Sequence, residues 1–147
     1  EVEFYSRVKK GASDLVNSML NYGYSLLYPR IWQAILKKRL NPYVGLVHYS
    51  EGNPNLVFDV IELFRSQAVD RVVISMIQKK EHTVMSGGLL DDETRNLLTR
   101  HVYERLNRYE KYRGEEKRLS EIIDLQISEL ASAIVSGTTY RPYMAKW

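Results

Sequence analysis

Two acids, Asp59 and Glu62, interrupt the segment Leu56 to Phe64 (LVFDVIELF), in which every other residue is apolar. On a helix they stand at i and i+3, so both carboxylates project from one face about one turn apart. The rest of such a helix calls for burial. An ionised carboxylate in dry surroundings must be paired, hydrogen-bonded or bound to a cation, or it costs on the order of several kcal/mol. His48 lies eleven positions before Asp59, in a stretch (HYSEGNPN) whose Gly52, Asn53 and Pro54 read as a turn able to fold the imidazole back over the helix. An imidazole and two carboxylates make a divalent-metal set: the oxygens suit Mg2+ or Mn2+, and the nitrogen favours Mn2+. The competing reading is structural. Arg65 stands at i+3 from Glu62, and Asp70 and Arg71 follow, so an ion-pair network could satisfy every charge without a metal. Glu51, three residues after His48, is either an extra ligand or a loop surface charge. His82 and His101 have no carboxylate constellation in their surroundings and receive no role.

The elements that must position these groups read as helices. Ser13 and Asp14 form an N-cap, and Leu15, Val16, Met19, Leu20, Gly23, Leu26 and Leu27 then recur at the spacing of one helix face. Pro29 is expected to kink or restart the helix, Ile31, Trp32, Ile35 and Leu36 continue the stripe, and Lys37, Lys38 and Arg39 fall in the last turn, complementing the helix dipole. Asn41-Pro42 ends it, and 43–55 is a loop holding His48. The apolar run from Leu56 to Lys79 is too long for a strand and reads as one or two buried helices with a bend near Ser66. Gly87-Gly88 marks a loop, Asp91-Asp92-Glu93 opens another helix, and Arg113-Gly114 punctuates the chain. A last helix from about Glu115 ends at Gly137 as its C′ residue. Strand signals are weak, so the expected fold class is all-α, a bundle of about five to seven helices.

With 147 residues and 44% hydrophobic content, the chain can bury one sizeable core, and residues 1–147 read as a single domain. The absence of cysteine excludes disulfides and thiolate metal sites, leaving His, Asp and Glu as the strong ligands. No apolar run approaches the roughly 18 residues of a membrane span, and the first residues carry no signal-peptide core, so the simplest expectation is a cytoplasmic protein with no membrane contact. The net charge of +3, with basic residues at Lys37 to Arg39 and from Arg105 to Arg118, is compatible with a polyanionic partner. Several of the eleven tyrosines sit near these cations, where rings stack on bases or simply pack at helix surfaces. There is no glycine-rich phosphate loop and no nucleophile elbow.

The order NSMLNYGYSLLY (Asn17 to Tyr28), NPYVGLVH (Asn41 to His48) and DVIELFR (Asp59 to Arg65), followed by Val69-Asp70-Arg71, resembles the C-terminal helical domain of CRISPR-associated protein one, the integrase of spacer acquisition. Members of that family combine a long helix, a Gly-x-x-His loop and an Asp-x-x-Glu/Asp helix followed by Phe-Arg. Gly87-Gly88-Leu89, the Tyr112 to Gly114 region and Tyr140-Arg141-Pro142-Tyr143 resemble the family's tail, and coverage runs from about Phe4 to the end. The resemblance implies a metal-dependent DNA endonuclease and integrase that uses Mg2+ or Mn2+ to join the 3′ ends of a captured fragment to the CRISPR repeat. It implies His48, Asp59 and Glu62 as catalytic metal ligands, with Arg65 buttressing Glu62. The implied partners are double-stranded DNA, a second copy in a homodimer, and the small ferredoxin-like CRISPR adaptation protein. Lys37, Lys38, Arg39, Arg105 and Arg108 are the candidate phosphate contacts.

The family's further metal-binding glutamate lies in a helix upstream of the matched region, and Glu1 and Glu3 stand too close to Asn17 to correspond to it. The family's N-terminal β-rich domain has no counterpart here either. The expectation is therefore a C-terminal portion that, alone, binds metal weakly and cuts DNA poorly. The rival expectation is a non-catalytic helical scaffold that binds DNA or a protein partner, its acids neutralised by Arg65 and Arg71.

Overall fold

Asp14 starts the first helix: its Oδ1 accepts the Asn17 backbone N–H at 2.9 Å, which satisfies one of the donors a helix start leaves open. From there α1 (Leu15–Lys37) runs as one helix through Pro29, where a kink or restart was expected. Pro29 and Ser25, whose carbonyl loses its helical donor to the proline, both lie on the exposed side, where water can serve that carbonyl. The computed structural model describes residues 6–8 and 12–144. Glu1, Glu3 and Phe4, named in the sequence reading, lie outside the described residues.

Helix α1 is the spine against which α2 (Asn55–Glu62), α3 (Arg71–Gln78), α4 (Asp92–Leu106) and α5 (Leu119–Ser136) gather. Its residues Met19, Leu27, Ile31 and Ile35 are fully buried, together with Val57, Phe64, Val69, Leu98, Val102, Ile122 and Ile123 from the other elements. The bend expected near Ser66 is a π-helical turn, Ser66–Asp70, between α2 and α3. It buries Gln67, Ala68 and Val69. Val69 comes so close to α1 that a Cβ on Gly23 would lie 2.3 Å from its Cγ1.

The all-α class expected from the sequence holds, and two small antiparallel hairpins interrupt the helical order. The first pairs β1 (Met85–Ser86) with β2 (Leu89–Leu90) around Gly87-Gly88, at φ 59° and 80°. The second pairs β3 (Tyr109–Tyr112) with β4 (Glu115–Arg118) around Arg113-Gly114, at φ 51° and 89°. Two successive positive-φ residues are the tight hairpin turn that matches strand twist. This hairpin also moves the start of α5 from about Glu115 to Leu119. Its strands carry no apolar alternation, because only Tyr112 among their residues is buried. Opposite charges face each other instead, as at Glu110↔Lys117 and Lys111↔Glu116. Helix α5 ends as expected on Gly137, in the left-handed region at φ 67°.

The chain then folds back. The Gln126 Oε1, buried on α5, accepts the Tyr140 hydroxyl at 2.6 Å and the Tyr143 N–H at 2.7 Å. Tyr143 stacks on Phe64 at a centroid distance of 5.6 Å, which fastens this tail to the end of the α2 segment. Among the described residues no helix is long and apolar enough to cross a membrane.

The Gly23–Val69 approach sets one expectation. An alanine in place of glycine inside a helix ordinarily stabilises by about 0.5–1 kcal/mol; here the added methyl overpacks the core at about 1–3 kcal/mol. Urea unfolding should show Gly23→Ala to be destabilised, and the Gly23→Ala/Val69→Ala double variant to lose less than the sum of its parts. A second expectation concerns His82, whose Nε2 lies 2.7 Å from Oδ2 of Asp91, the N-cap of α4. That hydrogen bond raises the His82 pKa above 6.5, while bonds from Thr94 and His82 hold Asp91 at about 2. The stability due to His82 is therefore fully present below pH 6.5 and disappears as pH rises through the raised folded value. The stability difference between the native chain and His82→Ala, followed by thermal unfolding from about pH 5 to about pH 9, should shrink towards zero with rising pH.

Candidate functional site

The loop between α1 and α2 is fixed by two side chains of α2. Asn55 is buried at the first position of the helix, where its Oδ1 accepts the Ser50 N–H at 3.2 Å and the Ser50 hydroxyl at 2.7 Å. Its Nδ2 donates to Ser50 O at 2.8 Å and to Tyr43 O at 3.3 Å, closing both ends of the loop on the helix. One turn on, Asp59 takes the middle. Its Oδ2 accepts the Leu46 N–H at 2.5 Å and the Val47 N–H at 3.0 Å; its Oδ1 accepts the His48 N–H at 3.1 Å and faces His48 Nδ1 at 2.5 Å.

A carboxylate offers about four lone-pair positions, and these four contacts use them all. Burial by itself would raise the Asp59 pKa, but the bonds from Val47, His48 and Leu46 outweigh it and hold the carboxyl below 3.8. In the neutral ring an ionised carboxylate at this distance favours the tautomer with its proton on Nδ1, in which Nε2 is the acceptor. The Asp59 side chain is 6% exposed and that of His48 48%, so the acid lies beneath and the ring faces outward. Gly45 permits this closeness. A Cβ there would lie 2.3 Å from His48 O, 2.6 Å from Asn55 Cβ and 3.1 Å from Asp59 Oδ2.

Glu62 stands apart from this pair. It is exposed on α2 and forms an ion pair with Arg65 at 2.8 Å, and the Arg65 guanidinium lies over the Tyr24 ring at 5.8 Å. The Tyr24 hydroxyl donates to Asp70 at 2.6 Å, so Asp70 serves α1 packing rather than the site. The structure thus brings His48 and Asp59 together and leaves Glu62 with Arg65. Among the described residues no three His, Asp or Glu side chains converge on one ion position. By type alone, an imidazole and a carboxylate are donors that suit a divalent cation. An imidazole that gives Nδ1–H to a carboxylate and presents Nε2 is the usual posture of a metal-binding histidine. The Glu62–Arg65 pair is 43% and 38% exposed, so it contributes at most about 1 kcal/mol and little holds Glu62 away.

Lys37, Lys38 and Arg39 are exposed, with Arg39 just past the helix end at φ 57°. Arg105 corrects the sequence reading of it as a phosphate contact. It is 8% exposed and gives its donors to Gln67 O at 2.8 Å, to Gln67 Oε1 at 3.2 Å and to Glu110 at 2.5 Å. Its helical register beside Leu106 and Val102 was the available signal of burial. Arg108 and Glu51 are exposed. His82 and His101, given no acidic neighbours from the sequence, both have them: Asp91 for His82, and Glu81 at 2.6 Å and Glu104 at 3.3 Å for His101. Asp91 and Glu81 lie outside the helical turns of their histidines and are not revealed by local spacing, whereas Glu104 stands at i+3 from His101 on α4 and was legible there.

A concavity of about 350 Å³ beside α3 and α4 is lined by His101, Arg105 and Arg108 among others, and one of about 910 Å³ lies beside the second hairpin; neither is lined by His48, Asp59 or Glu62. The His48 ring itself is half exposed at the surface.

The family model described as CRISPR associated protein Cas1 matches residues 1–105. A CRISPR-associated endonuclease Cas1 of Archaeoglobus fulgidus is 35% identical over 146 residues, which cover 92% of this chain and 41% of that protein. One from Francisella tularensis subsp. novicida is 31% identical over 145 residues, 98% of this chain and 44% of that protein. The chain therefore spans less than half the length of these curated relatives. Among solved structures, a casposase bound to integration product superposes with a TM-score of 0.83 at 27% identity, covering 98% of this chain and 47% of that one. A CAS1 protein from Thermotoga maritima does so with a TM-score of 0.83 at 20% identity, covering 92% of this chain and 44% of that one, a likeness of fold.

The Asp59 clamp yields an expectation for the loop. A hydrogen bond to a charged group contributes about 1.5–3 kcal/mol, so in Asp59→Ala the amides of Leu46, Val47 and His48 should exchange with deuterium about 10-fold to 100-fold faster than in the native chain. Gly45→Ala, which wedges the same loop off the helix, should speed the same amides while leaving those of α5 unchanged.

Proposed function

The chain belongs to the CRISPR-associated Cas1 family, and on that premise we propose that it is the helical catalytic part of a DNA endonuclease and integrase of spacer acquisition. The proposed reaction joins DNA 3′ ends to the CRISPR repeat by transesterification. A 3′ hydroxyl oxygen attacks a phosphodiester in line, one P–O bond forms and one breaks, the hydroxyl proton departs, and a new 3′ end is released. Bond for bond the exchange is balanced, so no ATP or covalent protein intermediate enters. The observation that carries the reading is the 2.5 Å contact of His48 Nδ1 with the buried Asp59 carboxylate, which leaves Nε2 as the ring nitrogen on the half-exposed side. The endonuclease relatives and the casposase with its integration product support it.

Within this reading His48 Nε2 and Glu62 would hold Mg2+ or Mn2+, and Arg65 steadies Glu62 until then. The chemistry such an ion supplies is a lowered pKa for the attacking hydroxyl and neutralised charge at the phosphate. Asp59, expected as a third ligand, acts here from behind the ring: its four acceptor positions are already committed to the loop and to His48. It holds the imidazole in one tautomer and one orientation. The same reading includes double-stranded DNA as substrate, a homodimer, the ferredoxin-like adaptation partner and a cytoplasmic setting.

Two measurements separate this reading from a helical scaffold, which the Glu62–Arg65 pair would otherwise favour. Calorimetric titration with Mn2+ should show binding that His48→Ala and Glu62→Gln abolish. Asp59→Asn, which disturbs the tautomer and the loop, should weaken it about 10–100-fold. In an assay joining a labelled DNA 3′ end to repeat DNA, His48→Ala should remove activity while thermal unfolding shifts little, since the ring is half exposed. A native protein that neither binds Mn2+ nor joins DNA would leave only the scaffold, and a His48→Ala protein that binds Mn2+ and joins DNA like the native one would overturn the role of His48.

A further inference from the structure

Two guanidiniums share the ring of Tyr24 on α1: that of Arg7 stands 5.2 Å from its centroid and that of Arg65 5.8 Å. Their situations differ. Arg7 Nη1 donates to Asn17 Oδ1 at 2.9 Å and its Nη2 to Asn21 Oδ1 at 2.6 Å, so its fork is committed to α1. Arg65 has a second partner in Glu62, whose Oε1 lies 2.8 Å from its Nη1, and no other acid among the described residues pairs with it. The ring itself is fixed. Its hydroxyl donates to Asp70 Oδ1 at 2.6 Å, and burial together with that bond pushes the Tyr24 pKa well above 10, so the hydroxyl stays a donor. The adjacent residues Gly23 and Val69 make the close approach of the π-helical turn to α1, which sets the distance between Tyr24 and Asp70.

A half-buried tyrosine between two helical segments is ordinarily packing, its hydroxyl satisfied by a nearby acceptor. That accounts for the bond to Asp70. It does not account for Arg65, which approaches the ring although a like charge, Arg7, is already there. The negative face of the ring attracts a guanidinium, and a phenol that donates to a carboxylate returns electron density to its ring and strengthens that attraction. The competing attraction, an exposed i,i+3 pair with Glu62, is of comparable size. The guanidinium therefore loses little by remaining on the ring when the carboxylate turns elsewhere.

We propose that Tyr24 is a positioning residue of the site: its ring is the seat that keeps the Arg65 guanidinium against α1 when Glu62 leaves the ion pair for a divalent cation. The proposal rests on the reading in which Glu62 and His48 take that cation, and it names what makes Glu62 available. Tyr24 touches neither the cation nor a substrate; it acts through Arg65. With the ring in place, the guanidinium has an alternative to Glu62. Without it, Glu62 is the partner that remains, and Arg65 competes with the cation for the carboxylate. Asp70 serves the seat in turn, because its bond to the hydroxyl fixes the ring and enriches it.

Two measurements on the full chain test this. In proton NMR the Arg65 side-chain resonances, assigned by their loss in Arg65→Ala, should be shifted upfield by the Tyr24 ring current and should stay upfield at saturating Mg2+. Calorimetric titration with Mn2+ should show affinity lowered about twofold to thirtyfold in Tyr24→Leu, the size of one lost cation–π contact, and by less in Tyr24→Phe. In an Arg65→Ala background the same Tyr24→Leu change should leave the affinity where Arg65→Ala alone puts it. A Tyr24→Leu loss that is equally large without Arg65 would make Tyr24 a support of the fold and overturn its positioning role. Unchanged affinity in Tyr24→Leu, or an upfield shift that disappears at saturation, would overturn it as well, and each leaves the proposed function standing. A native chain that binds no Mn2+ would overturn both. If Tyr24→Leu fails to fold, Tyr24→Phe with and without Arg65 and the native resonances still decide.

Discussion

One carboxylate organises the functional face. Asp59 accepts three backbone N–H groups from a loop that has no regular secondary structure of its own, and the imidazole that loop carries. A buried acid with this many donors is ionised and fully satisfied, so it stabilises the loop rather than straining it. Everything else at the site follows. The loop cannot drift, neutral His48 is favoured in one tautomer, and Gly45 must be glycine because the loop backbone passes within a methyl's reach of α2.

That clamp in turn needs α2 to be immobile, and the packing beneath it supplies this. Leu56, Val57 and Val60 bury the inner face of α2 against α1, and Phe64 holds its far end under the stacked ring of Tyr143. The π-helical turn after Phe64 lets the next segment reach the glycine notch in α1 while Arg105 from α4 braces Gln67. A half-exposed histidine is thus carried by a rigid helix pair, which prepositions the groups around it.

The contrast between Asp59 and Glu62 bears on how the acids divide their work. Both stand on one face of one helix, yet one is buried under four contacts and the other is exposed beside Arg65. An acid already saturated with donors orients its neighbour, while an acid held only by a surface ion pair can exchange that partner for a cation. The division gives two similar residues different proposed roles for a reason that lies in their surroundings.

Much of this was legible in the chain itself. The periodicity of α1, the helical character of Leu56 to Phe64, the bend near Ser66, the Asp91 and Gly137 ends and the company of His48 with Asp59 all follow from local spacing and turn chemistry, which depend on residues a few positions apart. Pro29 did not break its helix because the affected carbonyl faces water, and the second hairpin escaped notice because its strands are held by a two-residue turn and facing charges rather than by an apolar face. The burial of Arg105, the meeting of His82 with Asp91 and of His101 with Glu81, and the saturation of Asp59 were decided only by tertiary structure. Each joins residues from separate elements, and which donors meet which acceptors depends on how α1, α2 and the intervening loop pack, not on the order in which they are written.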